Sequence, residues 1–264
     1  MKLLNCIYKI YNMQTVNNKL PGIFNDITNY LTSCDMQLIC CELLSQSKQV
    51  KSIESDKTNS DGRITSAINE RVIVDLLLKQ YPDHVRDAPQ RYWYDIKVLV
   101  HEEWMPVNIK ITSMTSADNA GSYPMCAWAY TSMDMDIDTL YQADMKLMKS
   151  LLQHISEGRY NYSTRDYYFL VVNKKNNKDI FINSLKGLTI LTKNKNNLPF
   201  QISWKKNKVY NPLHINKCIE MFRDTQCGNI SPKEMFLYGI NQIQLPHQNS
   251  KPPVNNENKK IQLN

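Results

Sequence analysis

The chain of 264 residues lacks any apolar run approaching the ~18 residues that a bilayer-spanning helix requires. Its opening, Met1-Lys2-Leu3-Leu4, is broken at once by Asn5 and Lys9 and makes a poor secretory signal. A soluble, cytoplasmic protein is therefore expected. The 7 cysteines, Cys6, Cys34, Cys40, Cys41, Cys126, Cys218 and Cys227, are odd in number and form no CxxC pair. That argues against both a thiol-based zinc site and a disulfide framework, and leaves buried reduced thiols as the expectation. The 5 histidines are scattered, and His101-Glu102-Glu103 has no second His at helical spacing, which excludes a zincin motif. A P-loop and a GxSxG turn are likewise missing. Asp134, Asp136 and Asp138 resemble the start of a calcium loop, but Thr139 and Met145 stand where that loop needs Gly and Glu. Charge at a helix N-terminus is the expected role of these aspartates. Met133, Met135, Met145 and Met148 are expected in the core or at an interface.

What is present is an excess of positive charge. Lys and Arg number 32 against 25 Asp and Glu, a net charge of +7. Such an excess favours polyanionic partners, because each phosphate contact releases condensed counterions. The hydrophobic fraction of 42% and the mean hydropathy of -0.48 reflect Asn and Lys crowded into loops and the C-terminus. The length suits one large domain, or one domain with a small appendage.

Periodicity organises the chain. Residues 1–47 read as largely helical, with Met36, Ile39, Cys40, Leu43 and Leu44 at a rough 3.6 period and a break at Pro21-Gly22. Polar residues 48–61 read as a loop. The pattern predicts a helix from Arg63 to Gln80 with Ile64, Ala67, Ile68, Val72, Leu76 and Leu77 on its apolar face, stopped by Tyr81-Pro82-Asp83. The period then changes. Tyr92–Val100 and Pro106–Thr112 read as paired strands, with His101–Met105 as their connection. Ser113–Asn119 reads as a polar loop, followed by helices over Ser122–Thr131 and Asp138–Ile155. Tyr167–Val172 is the clearest buried strand, with one or two more over Asp179–Leu191 and another over Phe200–Trp204. Helices are expected over 214–224 and 231–241, the second opened by Ser231-Pro232. From Pro246 onward few apolar anchors remain, and a disordered tail over 246–264 is expected. The mixed order of helices and strands implies an α/β fold with a central mixed β-sheet flanked by helices. The chain divides into an N-terminal helical segment, 1–61, a candidate for dimerisation or for embracing a ligand, a main domain over 62–245, and the tail.

One constellation carries chemistry. Side chains two apart on a strand share a face, so Asn108 and Lys110 project together, and pairing with the preceding strand can bring Asp95 to the same side. A hard divalent cation needs oxygen ligands, here the Asp95 carboxylate, the Asn108 amide and a strand carbonyl such as that of Ile109. The Lys110 ammonium can orient an attacking water and offset charge on a pentacovalent phosphate. Glu70, on the preceding helix, can add a second carboxylate or hold a water on the metal.

Asp95, then Asn108-Ile109-Lys110, preceded by a helix carrying Glu70, resembles the core of the PD-(D/E)XK nucleases. Val107-Asn108-Ile109-Lys110, followed by Ala117-Asp118-Asn119-Ala120 and Ala127-Trp128-Ala129, resembles more narrowly the type II restriction endonucleases. The resemblance covers roughly residues 62–131. It implies a restriction-endonuclease-like fold and a homodimeric, Mg2+-dependent enzyme that cuts both strands of a short double-stranded DNA site. There are two departures: Tyr94 stands where the family has Pro, and Asn108 occupies the Asp/Glu position. Removing one negative charge weakens metal binding unless Glu70 or phosphate oxygens compensate.

Beside the constellation, Ser113, Thr115, Ser116, Asp118 and Asn119 offer short hydrogen-bonding groups for DNA, or caps for the next helix. Lys193, Lys195, Lys205, Lys206 and Lys208 form the strongest basic run, suited to phosphate or to a solvated loop. Arg63 and Lys97 are weaker candidates. Two rival functions remain at this point: a repair or recombination nuclease of the same fold, and a DNA-binding protein without catalysis.

Overall fold

The computed structural model describes residues 19–34, 62–142, 144–163, 165–176, 178–193 and 200–225. Of the helical stretch expected over 1–47, residues 1–18 and 35–47 lie outside the described residues, as do the expected loop over 48–61, the helix over 231–241 and the tail over 246–264. Pro21 stands at the N-cap of helix α1 (Gly22–Ser33), which buries Phe24, Ile27 and Leu31 along one stripe. Helix α2 (Gly62–Gln80) ends where Pro82 follows Tyr81, and buries Val72, Ile73, Val74 and Leu77.

The central sheet has five strands: β1 (Val85–Asp87), β2 (Ile96–Val100), β3 (Glu103–Thr112), β5 (Tyr168–Asn173) and β6 (Ile180–Ser184), in the order β1-β2-β3-β5-β6. Only β3 and β5 run parallel. Parallel neighbours need a long crossover. Here it contains β4 (Asp118–Asn119), α3 (Tyr123–Tyr130) and α4 (Met145–Ser156). A smaller sheet joins β4 to β8 (Phe200–Ile202) and β8 to β7 (Leu191–Lys193), and α5 (Ile215–Thr225) follows. The expected α/β class with a mixed sheet between helices is present. Among the described residues no helix is long and apolar enough to cross a membrane.

Several boundaries differ from the sequence reading, each for a local reason. The β2–β3 turn is only His101-Glu102, both at positive φ (49° and 68°), the tight geometry that matches strand twist. Glu103, Trp104 and Met105 therefore belong to β3, with Met105 opposite Val98 and the Arg86 guanidinium 4.3 Å above the Trp104 ring. Tyr92, Trp93 and Tyr94 are not strand. The Tyr92 N–H closes a turn on the Pro89 carbonyl, and the three aromatics reach across to 137–139: Tyr92 Oη donates to the Asp138 carbonyl (2.8 Å), Tyr94 Oη to that of Ile137 (3.0 Å) and Trp93 Nε1 to that of Thr139 (3.4 Å). With those carbonyls engaged, α4 starts at Met145 rather than Asp138, capped by Asp144, whose Oδ1 accepts the Leu147 N–H at 2.8 Å. Asp118 and Asn119 are drawn from the expected loop into β4 by pairing with Ile202 and Gln201. Trp204 leaves the expected strand and opens a short 3-10 turn, Trp204–Lys206.

Two hydrophobic layers cover the sheet. One holds α1, α2 and the Met105, Val107, Ile109, Leu170 and Val172 side chains. The other holds α3, α4, α5 and the Tyr167, Phe169, Val171, Phe200 and Trp204 side chains. Because α1 shares the first layer with the sheet, it is built into the same core. Cys126 and Cys218 are buried free thiols and Cys34 is a half-buried one. Phe169, fully buried on β5, is expected to cost about 3–5 kcal/mol on substitution by Ala in urea denaturation. Val209→Ala, at a position 78% exposed, is expected to change stability by less than about 0.5 kcal/mol.

Candidate active site

The register fixes who faces whom. Ile96 lies opposite Val107 and Lys97 opposite Pro106, so one step further the line places Asp95 beside Asn108. Val107 and Ile109 point into the α1–α2 layer. By alternation Asn108 and Lys110 point to the other side. Asn108 and Lys110 therefore share one face, and Asp95 lies beside them at the edge where β2 ends, its carboxylate turned to the β3 backbone.

Asp95 sits at the point where β2 stops and β3 runs on. Its backbone is pinned on both sides: its N–H donates to the Val107 carbonyl (3.0 Å) and its carbonyl accepts the Ala88 N–H (3.1 Å). Its carboxylate takes the Ile109 N–H at 2.6 Å, the group that a continuing β2 would have bonded. In an extended strand the N–H and C=O of one residue point the same way, so the Ile109 carbonyl projects toward the Asp95 side of β3. Burial pushes the Asp95 carboxyl above the usual aspartate range, while the Ile109 N–H and the Lys110 charge pull it back.

Glu70 joins this group from α2, in the opposite layer. It is half-buried, and burial raises its carboxyl, with the Asp95 charge adding to the rise and Lys110 opposing it. Glu70, Asp95 and Lys110 thus act on one another electrostatically. Asn108 completes the set. Its Oδ1 is buried and has no hydrogen-bond partner, a state that ordinarily costs about 1–3 kcal/mol.

Asn108 and Lys110 open onto a groove of about 260 Å³. Arg91, Tyr92 and Trp93 from the segment before β2, residues 119–122 and Pro124 from the start of the crossover, and Tyr141 and Tyr167 line it. Gly121 is needed there: a Cβ would come within 3.0 Å of the Phe200 backbone N and 3.1 Å of its ring. Ser122 stands at the N-cap of α3 without using its side chain as a cap.

The remaining candidates divide. Asn119 lines the groove, its Oδ1 held by Gln201 Nε2 at 2.8 Å. Ser113 and Thr115 bond each other at 2.7 Å and do not line it. Lys205 and Lys206 are exposed on the 3-10 turn, away from the groove lining. Lys208 is paired with Asp179 at 2.5 Å. Lys97 is buried and paired with Asp138, which removes it as a phosphate contact. The same pairing, with Asp136 bonding the Asp138 N–H at 2.9 Å, gives those aspartates a structural role in a turn rather than at a helix N-terminus. Lys195 and the side chains of Arg63 and Lys193 lie outside the described residues.

Sequence reasoning missed Arg91, Tyr92, Trp93, Tyr141 and Tyr167 as groove residues. Tyr167 alone left a signal, because alternation from Phe169 puts it on the Asn108 face of the sheet. Arg91 holds a φ of 67°, which no sequence pattern announced.

Comparison with protein-family models, curated proteins and solved structures finds no match to this chain. Among the described residues no group of three or more His, Cys, Asp or Glu stands together as a metal cluster. The available donor set is mixed: the Asp95 and Glu70 carboxylates, the Asn108 amide oxygen and the Ile109 carbonyl. All four are hard oxygen ligands, and the unpartnered Asn108 Oδ1 fits a cation better than it fits an empty core.

Asp95 and Glu70 hold their protons more tightly folded than unfolded. Each therefore subtracts stability as pH rises from the ordinary carboxylate range through its raised folded value. Asp95→Asn is expected to raise Tm at pH 7 in metal-free buffer, by about 2–4 °C for each kcal/mol recovered. The gain should shrink as the pH falls and Asp95 protonates. A pH-independent change in Tm, or a loss at pH 7, would contradict this account.

Proposed function

We propose that the protein is a Mg2+-dependent type II restriction endonuclease that hydrolyses phosphodiester bonds in both strands of a short double-stranded DNA site, acting as a homodimer. The observation that carries this reading is the Asp95 carboxylate, bonded to the Ile109 N–H where β2 ends, with Glu70 and Lys110 in electrostatic contact and an unpartnered Asn108 Oδ1 alongside. The PD-(D/E)XK resemblance of the same residues supports it, as does the net charge of +7.

Asp95, Asn108 and the Ile109 carbonyl would hold the magnesium ion, with Glu70 completing the oxygen set. When bound, the ion supplies Lewis-acid stabilisation of the charge that builds on the phosphate. Lys110 orients the attacking water and offsets the charge of the pentacovalent phosphate. Glu70, its carboxyl raised by burial and by Asp95, is suited to accept the proton that the water loses. The water oxygen bonds to phosphorus, the bond from phosphorus to the 3′-oxygen breaks, and that oxygen takes up a proton. The products are a 5′-phosphate and a 3′-hydroxyl. Arg91, Asn119 and the N-terminal turn of α3 line the path of the DNA backbone, where guanidinium, amide and helix dipole all favour phosphate.

Asn108 in the acid position favours a second reading, a DNA-binding protein of the same fold that does not cut. The two differ in outcome. Digestion of a mapped plasmid with Mg2+ should give discrete, site-specific fragments, and none with EDTA. Structure-dependent nicking would point instead to a repair or recombination nuclease. Salt-sensitive binding without cleavage, with activity appearing in Asn108→Asp, would mark a lapsed enzyme. Lys110→Ala is expected to lower the cleavage rate by at least about 100-fold while DNA binding survives. Wild-type cleavage by Lys110→Ala would remove this residue from the mechanism.

A further inference from the structure

The turn between β5 and β6 carries three exposed lysines, Lys174, Lys175 and Lys178. Its one acid, Asp179, is already engaged. That carboxylate takes the Lys208 ammonium at 2.5 and 2.7 Å and the Asn173 amide at 3.0 Å. None of the three turn lysines has an ion-pair partner among the described residues. The turn therefore presents three uncompensated positive charges.

The backbone that carries them is firmly held. The Lys174 N–H donates to the Thr112 carbonyl at 2.9 Å, which ties the turn to the end of β3. The Lys175 and Lys178 N–H groups donate to the Asn173 and Asn176 side-chain oxygens at 3.0 and 3.2 Å. The Asn176 and Asp179 N–H groups donate to the Asn173 and Asn176 carbonyls at 3.0 and 2.9 Å. Asn side chains bonded two residues on fix a turn of this kind, and the lysine side chains are left to solvent. Like charges on a short, fixed turn repel one another, and a polyanion laid across them relieves that repulsion.

Position decides which polyanion fits. β3 and β5 are the parallel pair, and α/β sheets present ligand sites outside the carboxyl ends of such strands. Lys110 pairs with Val171, three residues before Lys174. At ~3.3 Å per residue along a strand and ~4.8 Å between strands, the Lys174 backbone lies about 11 Å from that of Lys110. A DNA strand advances ~3.4 Å per nucleotide, so this distance spans about three nucleotides.

We propose that Lys174, Lys175 and Lys178 form a contact surface for the phosphate backbone of double-stranded DNA, about three nucleotides from the cut and indifferent to sequence. The position of the cut rests on the nuclease reading above; the contact itself requires only that the chain bind DNA.

The test is binding of the full-length chain to a fluorescein-labelled DNA duplex in EDTA, read by anisotropy over a series of NaCl concentrations. Four proteins are compared: wild type, the Lys174→Gln/Lys175→Gln/Lys178→Gln triple, the same triple to Arg, and a charge-matched control, Lys79→Gln/Lys146→Gln/Lys149→Gln, at exposed helical positions. Mg2+-dependent cleavage of a mapped plasmid by wild type is measured beside them. The Gln triple on the turn is expected to flatten the slope of log K against log[salt] by about two to three and to weaken binding at least about tenfold at ~0.1 M salt. The Arg triple is expected to keep the wild-type slope, and the control to change it by less than about one. A wild-type slope in the turn Gln triple, or an equal loss in the control, overturns the proposal; site-specific fragments from wild type then leave the nuclease reading standing. A flattened slope in the Arg triple also overturns it, because that reports a disturbed turn rather than lost charge. Turn-dependent binding by a wild type that never cuts overturns the nuclease reading and leaves the contact surface in place. Wild type that does not bind DNA overturns both. If the turn Gln triple loses binding to phosphatidylcholine–phosphatidylserine vesicles while its DNA binding is unchanged, the turn belongs to a membrane surface and the proposal falls.

Discussion

Beyond Ile96, β3 continues for five residues, 108–112, without β2 beside it, and the Asp95 carboxylate takes the Ile109 N–H that would otherwise be left without a strand partner. A buried N–H without an acceptor is unfavourable, and so is a buried carboxylate without a donor. Each supplies what the other lacks, and the bond of 2.6 Å lies at the short end expected of a charge-assisted contact. It also sets the site's geometry. It holds the carboxylate in the plane of the sheet, next to the Ile109 carbonyl and opposite Asn108. The irregular segment 88–95, with Asp95 tied to both Ala88 and Val107, keeps β2 from filling the gap.

Charge sets the strain in this arrangement, and Asn108 changes it. Glu70 and Asp95 are two acids in electrostatic contact, with Lys110 the cation that both feel. Both carboxyls are raised, burial being the larger cause and, for Glu70, the Asp95 charge the second. A third acid at 108 would add another buried negative charge beside Asp95 and deepen that strain. Asn108 contributes an oxygen without the charge, so the strain among these acids is smaller and the attraction for a cation is correspondingly weaker. Neutral ligands must then be well aimed to count, which is why the orientation of one amide matters here more than it would in a site made of three acids.

What was legible in the sequence was whatever depends on alternation. The period of two over Asn108–Lys110 and the buried run before Asn173 follow from side-chain spacing, and the structure has them; of the face expected on α2, Val72 and Leu77 are buried, Leu76 is half-buried, and Ile73 and Val74 join them. What was not legible depends on partners distant in the chain. The Tyr92-Trp93-Tyr94 run has strand composition, yet its polar atoms are taken by carbonyls of 137–139, more than forty residues away, so the segment curls and α4 starts only at Met145. Asp118 and Asn119 looked like loop because the strand that recruits them, Phe200–Ile202, is remote. Lys97 looked like a free cation because its partner Asp138 belongs to that same distant turn. The missed groove residues have the same origin: they come together only once the loop before β2 folds onto the second layer.

The site therefore sits where the two layers of the core meet. Glu70 arrives on a helix of the α1–α2 layer, while Asn108 and Lys110 face the α3–α5 layer, with Asp95 in the sheet plane between them. Reaching across a sheet is usually blocked by the sheet itself. Here β2 ends early beside Asp95, and Glu70 on the other layer is electrostatically linked to Asp95 and Lys110. The stop in β2 frees the Ile109 amide and carbonyl edge. Extending β2 by even two residues would satisfy Ile109 with ordinary sheet bonds and release the Asp95 carboxylate from it. The aromatic contacts that hold 92–94 out of the sheet are, on this argument, as necessary to the site as the side chains that line it.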